Sequence, residues 1–326
     1  MKRLARLSGN SFLVIGRAGM DLYADPPGTR TEDAERFVAA LGGSSANIAV
    51  ALRRLGAEAA LVTCVSDDAV GRYCLNELDR YRIDRRHVRS VSGEARNSLS
   101  VVETRIEDHQ SVIYRNGAAD FEMNVGDVEC VDYSKYSALI TTGTVLAAEP
   151  SRSAAFKAFD LARAAGVPLI FDVDYRPYSW ASDREATEVY VKAAACCDII
   201  VGNDIEFGFM AGSYEHGLGK ARQLARDGTA IVIYKMGENG AVTLVEGREV
   251  RTGVFQSDAV KPTGAGDSFL GAFIAALASG HPVDKAVIRG SAAAAIVVSR
   301  VGCAPAMPTV SEIDHVISTG AHPGAA

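Results

Sequence analysis

Short β-branched runs alternate with stretches of helical periodicity along most of this 326-residue chain. The runs are FLVIG (12–16), AALVTCV (59–65), SALITTG (137–143), VPLIFDVD (167–174), DIIVGN (198–203) and TAIVIYKMG (229–237). Between them, NIAVALRRLG sets Ile48, Ala51, Leu52 and Leu55 on one helical face. SRSAAFKAFDLARAAG does the same with Ala155, Phe159 and Ala162 before stopping at Gly166. This alternation predicts an α/β fold whose mostly parallel central sheet is flanked by helices on both faces. Ligands of such folds sit at the carboxyl ends of the strands.

Two regions break the rhythm. NSLSVVETRI (97–106) and QSVIYRNGAA (110–119) alternate apolar and polar residues around a short polar link, which predicts a hairpin with one wet face. Residues 17–40 read as irregular and contain Pro26, Pro27 and Gly28. Both regions, 17–40 and 97–120, are expected to leave the main sheet as a small β lid on a single domain spanning residues 1–326. No repeat, low-complexity tract or interdomain linker is visible. The tail from about Thr319 is expected to be flexible.

Composition narrows the class without choosing a chemistry. Hydrophobic residues make up 48% and charged residues 23% of the chain, as in an ordinary folded protein. A net charge of −6 weighs against a nucleic-acid partner, which usually meets a basic face. Six cysteines form no C-x-x-C pair and no zinc spacing, and are expected to be buried, reduced thiols. The apolar run near the N-terminus is short and broken by Ser8, Gly9 and Asn10, and no uncharged stretch reaches membrane-spanning length. A cytoplasmic protein without a membrane partner is expected.

The sharpest local signal is KPTGAGDSF, residues 261–269. After it, Phe269, Leu270, Phe273, Ile274 and Leu277 share one helical face up to Ser279-Gly280. Gly264, Ala265 and Gly266 therefore open a helix, where backbone N–H groups lack intrahelical partners and the dipole favours an anion. Small side chains let a phosphate approach. Asp267 is expected to be ionised there, able to orient or accept the proton of an attacking hydroxyl. The plain alternative is an N-capping aspartate after a glycine turn.

A second glycine cluster, LGGSSANIAVALRRLG (41–56), also opens a helix. Gly42 and Gly43 let the backbone approach a ligand, and Asn47 can donate and accept hydrogen bonds, which suits a polyhydroxylated sugar or acid. An ordinary capped helix is its alternative. Two such turns in one α/β chain suggest two ligands meeting over one sheet edge. Competing motifs are missing. GLGKAR (217–222) is not a Walker A loop, there is no H-R-D or D-F-G, and no G-x-G-x-x-G follows a strand.

With these motifs the chain resembles the PfkB, ribokinase-like family of carbohydrate kinases from Val14 to about Pro308. GGSSANIAVALRRLG and PTGAGDSFLGAF are similar to the family's two signatures, NDIE (203–206) to its N-x-x-E element and KMGENG (235–240) to its K-x-G-x-x-G segment. The resemblance implies ATP-dependent phosphorylation of a sugar hydroxyl, with Asp267 as base and Gly264, Ala265 and Gly266 as anion hole. It implies Mg²⁺ on the ATP phosphates, organised by Asn203 and Glu206, with Lys235, Gly237 and Gly240 beside the nucleotide. It also implies a homodimer paired through the lid.

IGRAGMDLY (15–23), YRNGAAD (114–120) and DVDYRPYSW (172–180) resemble a branch acting on a sugar acid, 5-dehydro-2-deoxy-D-gluconate, in myo-inositol breakdown. Arg115 and Arg176 would then pair with a carboxylate and Asp21 with sugar hydroxyls. Salt bridges for the arginines and a turn cap for Asp21 are the plain alternatives. Kinases for 2-keto-3-deoxygluconate, fructose or ribose remain open, as do, from other classes, a nicotinamide-dependent dehydrogenase and a non-catalytic sugar-acid sensor. Many relatives carry aspartate where Lys261 stands, and those that use a monovalent cation place oxygens nearby. Lysine there predicts weak or absent potassium activation.

Overall fold

The computed structural model describes residues 4–320. In chain order the strands are β1 (Ser11–Ile15), β2 (Gly19–Asp25), β3 (Arg36–Gly42), β4 (Glu58–Ser66), β5 (Asp84–Val91), β6 (Leu99–Val102), β7 (Ser111–Tyr114), β8 (Ala138–Thr142), β9 (Leu169–Asp172), β10 (Ile199–Asn203), β11 (Ile231–Lys235), β12 (Ala241–Val245) and β13 (Arg248–Thr252). The α-helices are α1 (Ser44–Arg54), α2 (Ala69–Arg80), α3 (Val125–Glu129), α4 (Ser151–Ala164), α5 (Asp183–Ala194), α6 (Asp204–Ala211), α7 (Gly217–Arg226), α8 (Ala265–Ala278), α9 (Val283–Val298) and α10 (Val310–Thr319).

Nine strands form the main sheet in the order β13-β12-β11-β10-β9-β8-β1-β4-β5. Every neighbouring pair from β11 to β5 is parallel, and β12 and β13 run antiparallel at one edge. This is the mostly parallel α/β sheet that the alternation predicted. Phe12 and Val14 of β1 join the core beneath α1, α8 and α9, with Ile48, Leu52, Phe273 and Val287. Leu13 and Ile15 join the opposite core, with Ala155, Phe159 and Tyr190 of α4 and α5. Burial on both faces is why these strands read as unbroken apolar runs.

A separate four-stranded sheet has the order β3-β2-β6-β7. Residues 17–40 are not irregular, as expected, but supply two full strands. β2 and β3 pair antiparallel from Gly19↔Gly42 to Asp25↔Arg36. Pro26, Pro27 and Gly28 lie in the connection, which hid the strands on either side. β6 pairs parallel with β2, and β7 returns antiparallel with Leu99 opposite Tyr114. The expected wet face is reversed in character. Ser98 and Ser100 are buried, whereas Val112 and Tyr114 are 46% and 61% exposed.

Two further features escaped the periodicity. β5 is a polar edge strand, and β12–β13 is a hairpin whose Glu246-Gly247 turn has positive φ at both residues (51° and 73°), the geometry that a two-residue hairpin favours. Cys64, Cys74, Cys197 and Cys303 are buried, but Cys130 is exposed and Cys196 half-buried, so the cysteines are not uniformly core residues. Among the described residues no helix is long and apolar enough to cross a membrane. The tail expected to be flexible lies, beyond Gly320, outside the described residues.

α1 and α8, the helices that open at the two glycine clusters, pack directly on each other. A Cβ on Gly271 would sit 2.4 Å from the Ala51 Cβ. Gly271→Val is therefore expected to overpack this contact and destabilise the protein by about 1–3 kcal/mol. A urea denaturation midpoint equal to that of the wild type would show that the helices are not so closely apposed.

Candidate active site

The Gly-Ala-Gly-Asp turn stands at the amino end of α8. Gly264 has φ +84°, and a Cβ there would meet the Cys303 Sγ at 2.9 Å and the Val297 Cγ1 at 3.1 Å. Both the backbone conformation and the space demand glycine. The Ser268 N–H donates to the Gly264 carbonyl at 3.0 Å, so the amides of Ala265, Gly266 and Asp267 precede the first helical bond. Lys235, at the carboxyl end of β11, reaches this turn: a Cβ on Gly266 would lie 3.4 Å from its Nζ. The Asn47 Nδ2 donates to the Asp267 Oδ2 at 2.8 Å, joining two signatures 220 residues apart.

Four acids gather at this sheet edge. Burial, and then the Asp174 charge, push the Asp267 carboxyl up to about 7, against the opposing effects of Asn47, Arg176 and Lys235. This corrects the expectation of an ordinary ionised carboxylate, because the helix end does not offset desolvation. Burial raises Asp172 well above the usual range and raises Glu206 as well, with Lys235 opposing both. Asp174 goes the other way. Burial raises it, but the Arg176 guanidinium at 2.6 Å and the Ser44 hydroxyl outweigh that and hold it low. Its φ of +37° is strained for a residue with a side chain. Asp172, Asp174 and Ser44 were not singled out from sequence. The available signal was Asp-Val-Asp at the carboxyl end of a predicted strand.

Asp21 faces the site from β2 and is 6% exposed. The Tyr23 hydroxyl donates to its Oδ2 at 3.1 Å, and burial raises its carboxyl while Arg17 opposes that. A Cβ on Gly42 would fall 2.0 Å from the Asp21 Oδ1, so that glycine makes room for the acid. Gly43, at φ +93°, lets the chain pass the Arg17 carbonyl, 2.5 Å from where its Cβ would be.

The arginines sort differently from expectation. Arg115 is buried in an ion pair with Asp120, donates to the Thr144 carbonyl at 2.9 Å, and lies 4.1 Å from the Phe121 ring centre. Arg176 holds Asp174 and the Tyr175 carbonyl. Each has a protein carboxylate as its counter-charge, although the buried Arg115 Nε has no hydrogen-bond partner among the described residues and the Arg176 side chain is 42% exposed. Arg17, passed over in the sequence, differs. It is 8% exposed, its Nη1 has only the Ser98 Oγ at 3.4 Å, and its Nε has no partner. Among the described residues no carboxylate lies within ion-pair distance of it. Its place directly after β1, at the carboxyl edge, was the signal available.

A profile of the pfkB family carbohydrate kinase matches residues 10–310. The chain is 38% identical over 312 residues to the 5-dehydro-2-deoxygluconokinase of Photobacterium profundum, covering 94% of each chain. It is 36% identical over 312 residues to the enzyme of that name from Geobacillus thermodenitrificans, covering 94% of this chain and 92% of the other. Among solved structures, a PfkB protein from Polaromonas superposes with a TM-score of 0.81 at 29% identity, covering 94% of this chain and 99% of that one. A fructokinase from Vibrio cholerae with bound fructose, ADP and potassium ion shares the fold, with a TM-score of 0.84 at 23% identity over 94% and 98% of the chains. The chain belongs to the pfkB family of carbohydrate kinases. The alternatives of a nicotinamide-dependent dehydrogenase and a passive sensor fall with that assignment.

In this carbohydrate kinase the N-x-x-E element is a capping box at the start of α6. The Asn203 Oδ1 accepts the Glu206 N–H at 2.8 Å, and the Glu206 Oε2 accepts the Asn203 N–H at 2.7 Å. The Glu206 Oε1 takes the Tyr175 N–H at 3.2 Å. Gly237 and Gly240 bracket the turn between β11 and β12. Gly240, at φ +79°, would put a Cβ 2.0 Å from the Thr252 carbonyl, so local packing alone requires it. Among the described residues no group of three or more His, Cys, Asp or Glu is arranged to hold a metal ion. Hard oxygen donors such as the carboxyls at this edge are the ligand type that a cation carried on phosphate groups accepts.

The raised Asp267 pKa has a stability consequence with a definite sign. Between about pH 4 and pH 7 the folded state holds a proton that the unfolded state has lost, so this group's contribution to stability falls as pH rises. Asp267→Asn is expected to be more stable than the wild type at pH 8, with the difference fading toward pH 4. Urea midpoints across that range check it. A difference independent of pH would contradict the raised pKa.

Proposed function

We propose that this kinase transfers the terminal phosphoryl group of ATP to the terminal hydroxyl of 5-dehydro-2-deoxy-D-gluconate. The curated relatives of that name support the substrate. The observation that carries the acid character of the sugar is Arg17, a buried guanidinium with no protein carboxylate of its own. A ligand carboxylate completes it with two parallel hydrogen bonds. A neutral sugar would leave Arg17 facing Asp21 and Asp174 only at longer range, without a counter-charge in hydrogen-bond contact.

In this reading Asp267 takes the proton of the attacking hydroxyl. Its elevated pKa suits a base working near neutrality, and Asn47 orients it. The amides of Gly264, Ala265, Gly266 and Asp267 stabilise charge on the phosphoryl group, and Lys235 adds a cation over the same turn. Asp21, with Gly42, Gly43 and Asn47, binds the sugar hydroxyls. Arg176 and Arg115 act mainly by holding Asp174 and Asp120 in place around the substrate. Mg²⁺ bound with the nucleotide would neutralise phosphate charge, and Asn203 and Glu206 would steady it through water. Gly237 and Gly240 shape the turn beside the nucleotide.

The β3-β2-β6-β7 sheet closes over the sugar, and its outer face pairs with a second copy of the chain. Register puts Phe37, Leu22, Val101, Val112 and Tyr114 on that face, away from Asp21 and Ser100. Exposed apolar area of this kind on a lid calls for a partner. The working compartment in this reading is the cytoplasm.

Asp267→Asn is expected to lower kcat about a thousandfold while ATP binding changes little. Near-normal turnover in steady-state assays would remove the base from the mechanism. A panel of 5-dehydro-2-deoxygluconate, 2-keto-3-deoxygluconate, fructose and ribose decides the substrate, with the first expected to give the highest kcat/KM. Arg17→Met should weaken kcat/KM for the acids by about tenfold or more and leave neutral sugars unaffected. Equal loss for both classes would show that Arg17 does not read the carboxylate.

A further inference from the structure

Lys261 is completely buried and, among the described residues, has no carboxylate within ion-pair distance. Its Nζ donates instead to two main-chain carbonyls, Thr263 at 2.6 Å and Val297 at 3.1 Å. A desolvated ammonium held only by neutral oxygens is costly, and an apolar side chain would fill the same space more cheaply. The charge therefore needs a reason.

Its two partners supply one. Val297 lies in the last turn of α9, where the helix dipole is negative, and its carbonyl accepts the Arg300 N–H at 3.2 Å as well as the Lys261 ammonium. Thr263 directly precedes Gly264. In a trans peptide the carbonyl and the following N–H point in opposite directions. Drawing the Thr263 carbonyl onto Lys261 therefore turns the Gly264 N–H to the other side of the peptide. The entering segment is fixed as well, because the Val260 and Lys261 amides both donate to the Val298 carbonyl, at 2.8 and 3.2 Å. Gly264 itself rests against Val297 and Cys303. One ammonium thus joins the end of α9 to the turn that opens α8, and sets how that turn aims its amides.

We infer that Lys261 is a positioning residue, a tethered cation that holds the Gly264 turn where a free monovalent cation would otherwise be required. Main-chain carbonyls are ligands that an alkali cation also accepts. A covalently attached charge fills the site at every salt concentration and incurs no binding entropy. The inference takes from the proposed phosphotransfer only that the turn carries phosphate charge, and one of its readouts uses no substrate.

Wild type, Lys261→Ala and Lys261→Met are compared at constant ionic strength with tetramethylammonium as the sole monovalent cation, and again with potassium or ammonium. The wild type should change in rate by less than about twofold and show no shift in melting temperature. Lys261→Ala should lose about tenfold or more in kcat in tetramethylammonium and recover most of it with potassium or ammonium. Without nucleotide or sugar, potassium should raise its melting temperature by about 2 °C or more. Lys261→Met, which keeps the stem and fills the vacated space, should lose turnover and gain nothing from potassium. Strong potassium activation of the wild type would overturn the inference. So would near-normal turnover of either variant in tetramethylammonium, or a folded alanine variant that no cation restores. Failure of both variants to fold, with or without potassium, would also overturn it and leave the lysine a purely structural role. Absence of kinase activity in the wild type would instead count against the phosphotransfer reading, and the melting shifts would still decide the role of Lys261.

Discussion

Placing several charges at a water-poor sheet edge is the constraint on which the rest of this molecule depends. Asp172, Asp174, Glu206 and Asp267 converge at the carboxyl ends of β9 and β10 and the amino end of α8. Desolvation alone would neutralise all four. The fold answers each differently. Asp174 receives an arginine and a serine hydroxyl and stays low, whereas Asp267 receives one amide N–H and rises to about 7. Two carboxyls a few residues from the same strand edge thus differ in protonation because their neighbours differ.

The same logic organises the positive groups. Arg115 and Arg176 are spent on protein acids, and Lys235 sits over the α8 turn. Lys261 is spent on carbonyls beneath that turn. Arg17 differs in having, among the described residues, no carboxylate at ion-pair distance, and it acts on Asp21 and Asp174 only at longer range. The glycines belong to this economy of space. Gly42 makes room for Asp21, Gly43 for the Arg17 carbonyl, and Gly264 for Val297 and Cys303.

The small sheet departs from the usual half-exposed sheet in carrying apolar side chains on its solvent face. Its inward face carries the polar Asp21 and Ser100 beside the buried Tyr23, Ala40 and Val102, and the apolar Val112 and Tyr114 face outward. A sheet that covers a polar ligand on one side and meets another apolar surface on the other would have this pattern.

The amino-acid sequence by itself determined the parallel sheet, because strands buried on both faces must be apolar throughout and helices must be amphipathic. It also determined both glycine-opened helices, since left-handed turns and close backbone approaches leave few residue types allowed. β2 and β3 were not legible, because they serve a polar site on one side and so lack the alternation that marks a wet face. Nor were the partners of Arg115 and Arg176, the absence of a close carboxylate partner for Arg17 among the described residues, the carbonyl grip on Lys261, or the elevated pKa of Asp267. Burial and counter-charge arise from residues far apart in the chain, such as Asn47 and Asp267. Only the tertiary structure decides which charges are already paid for and which are still waiting.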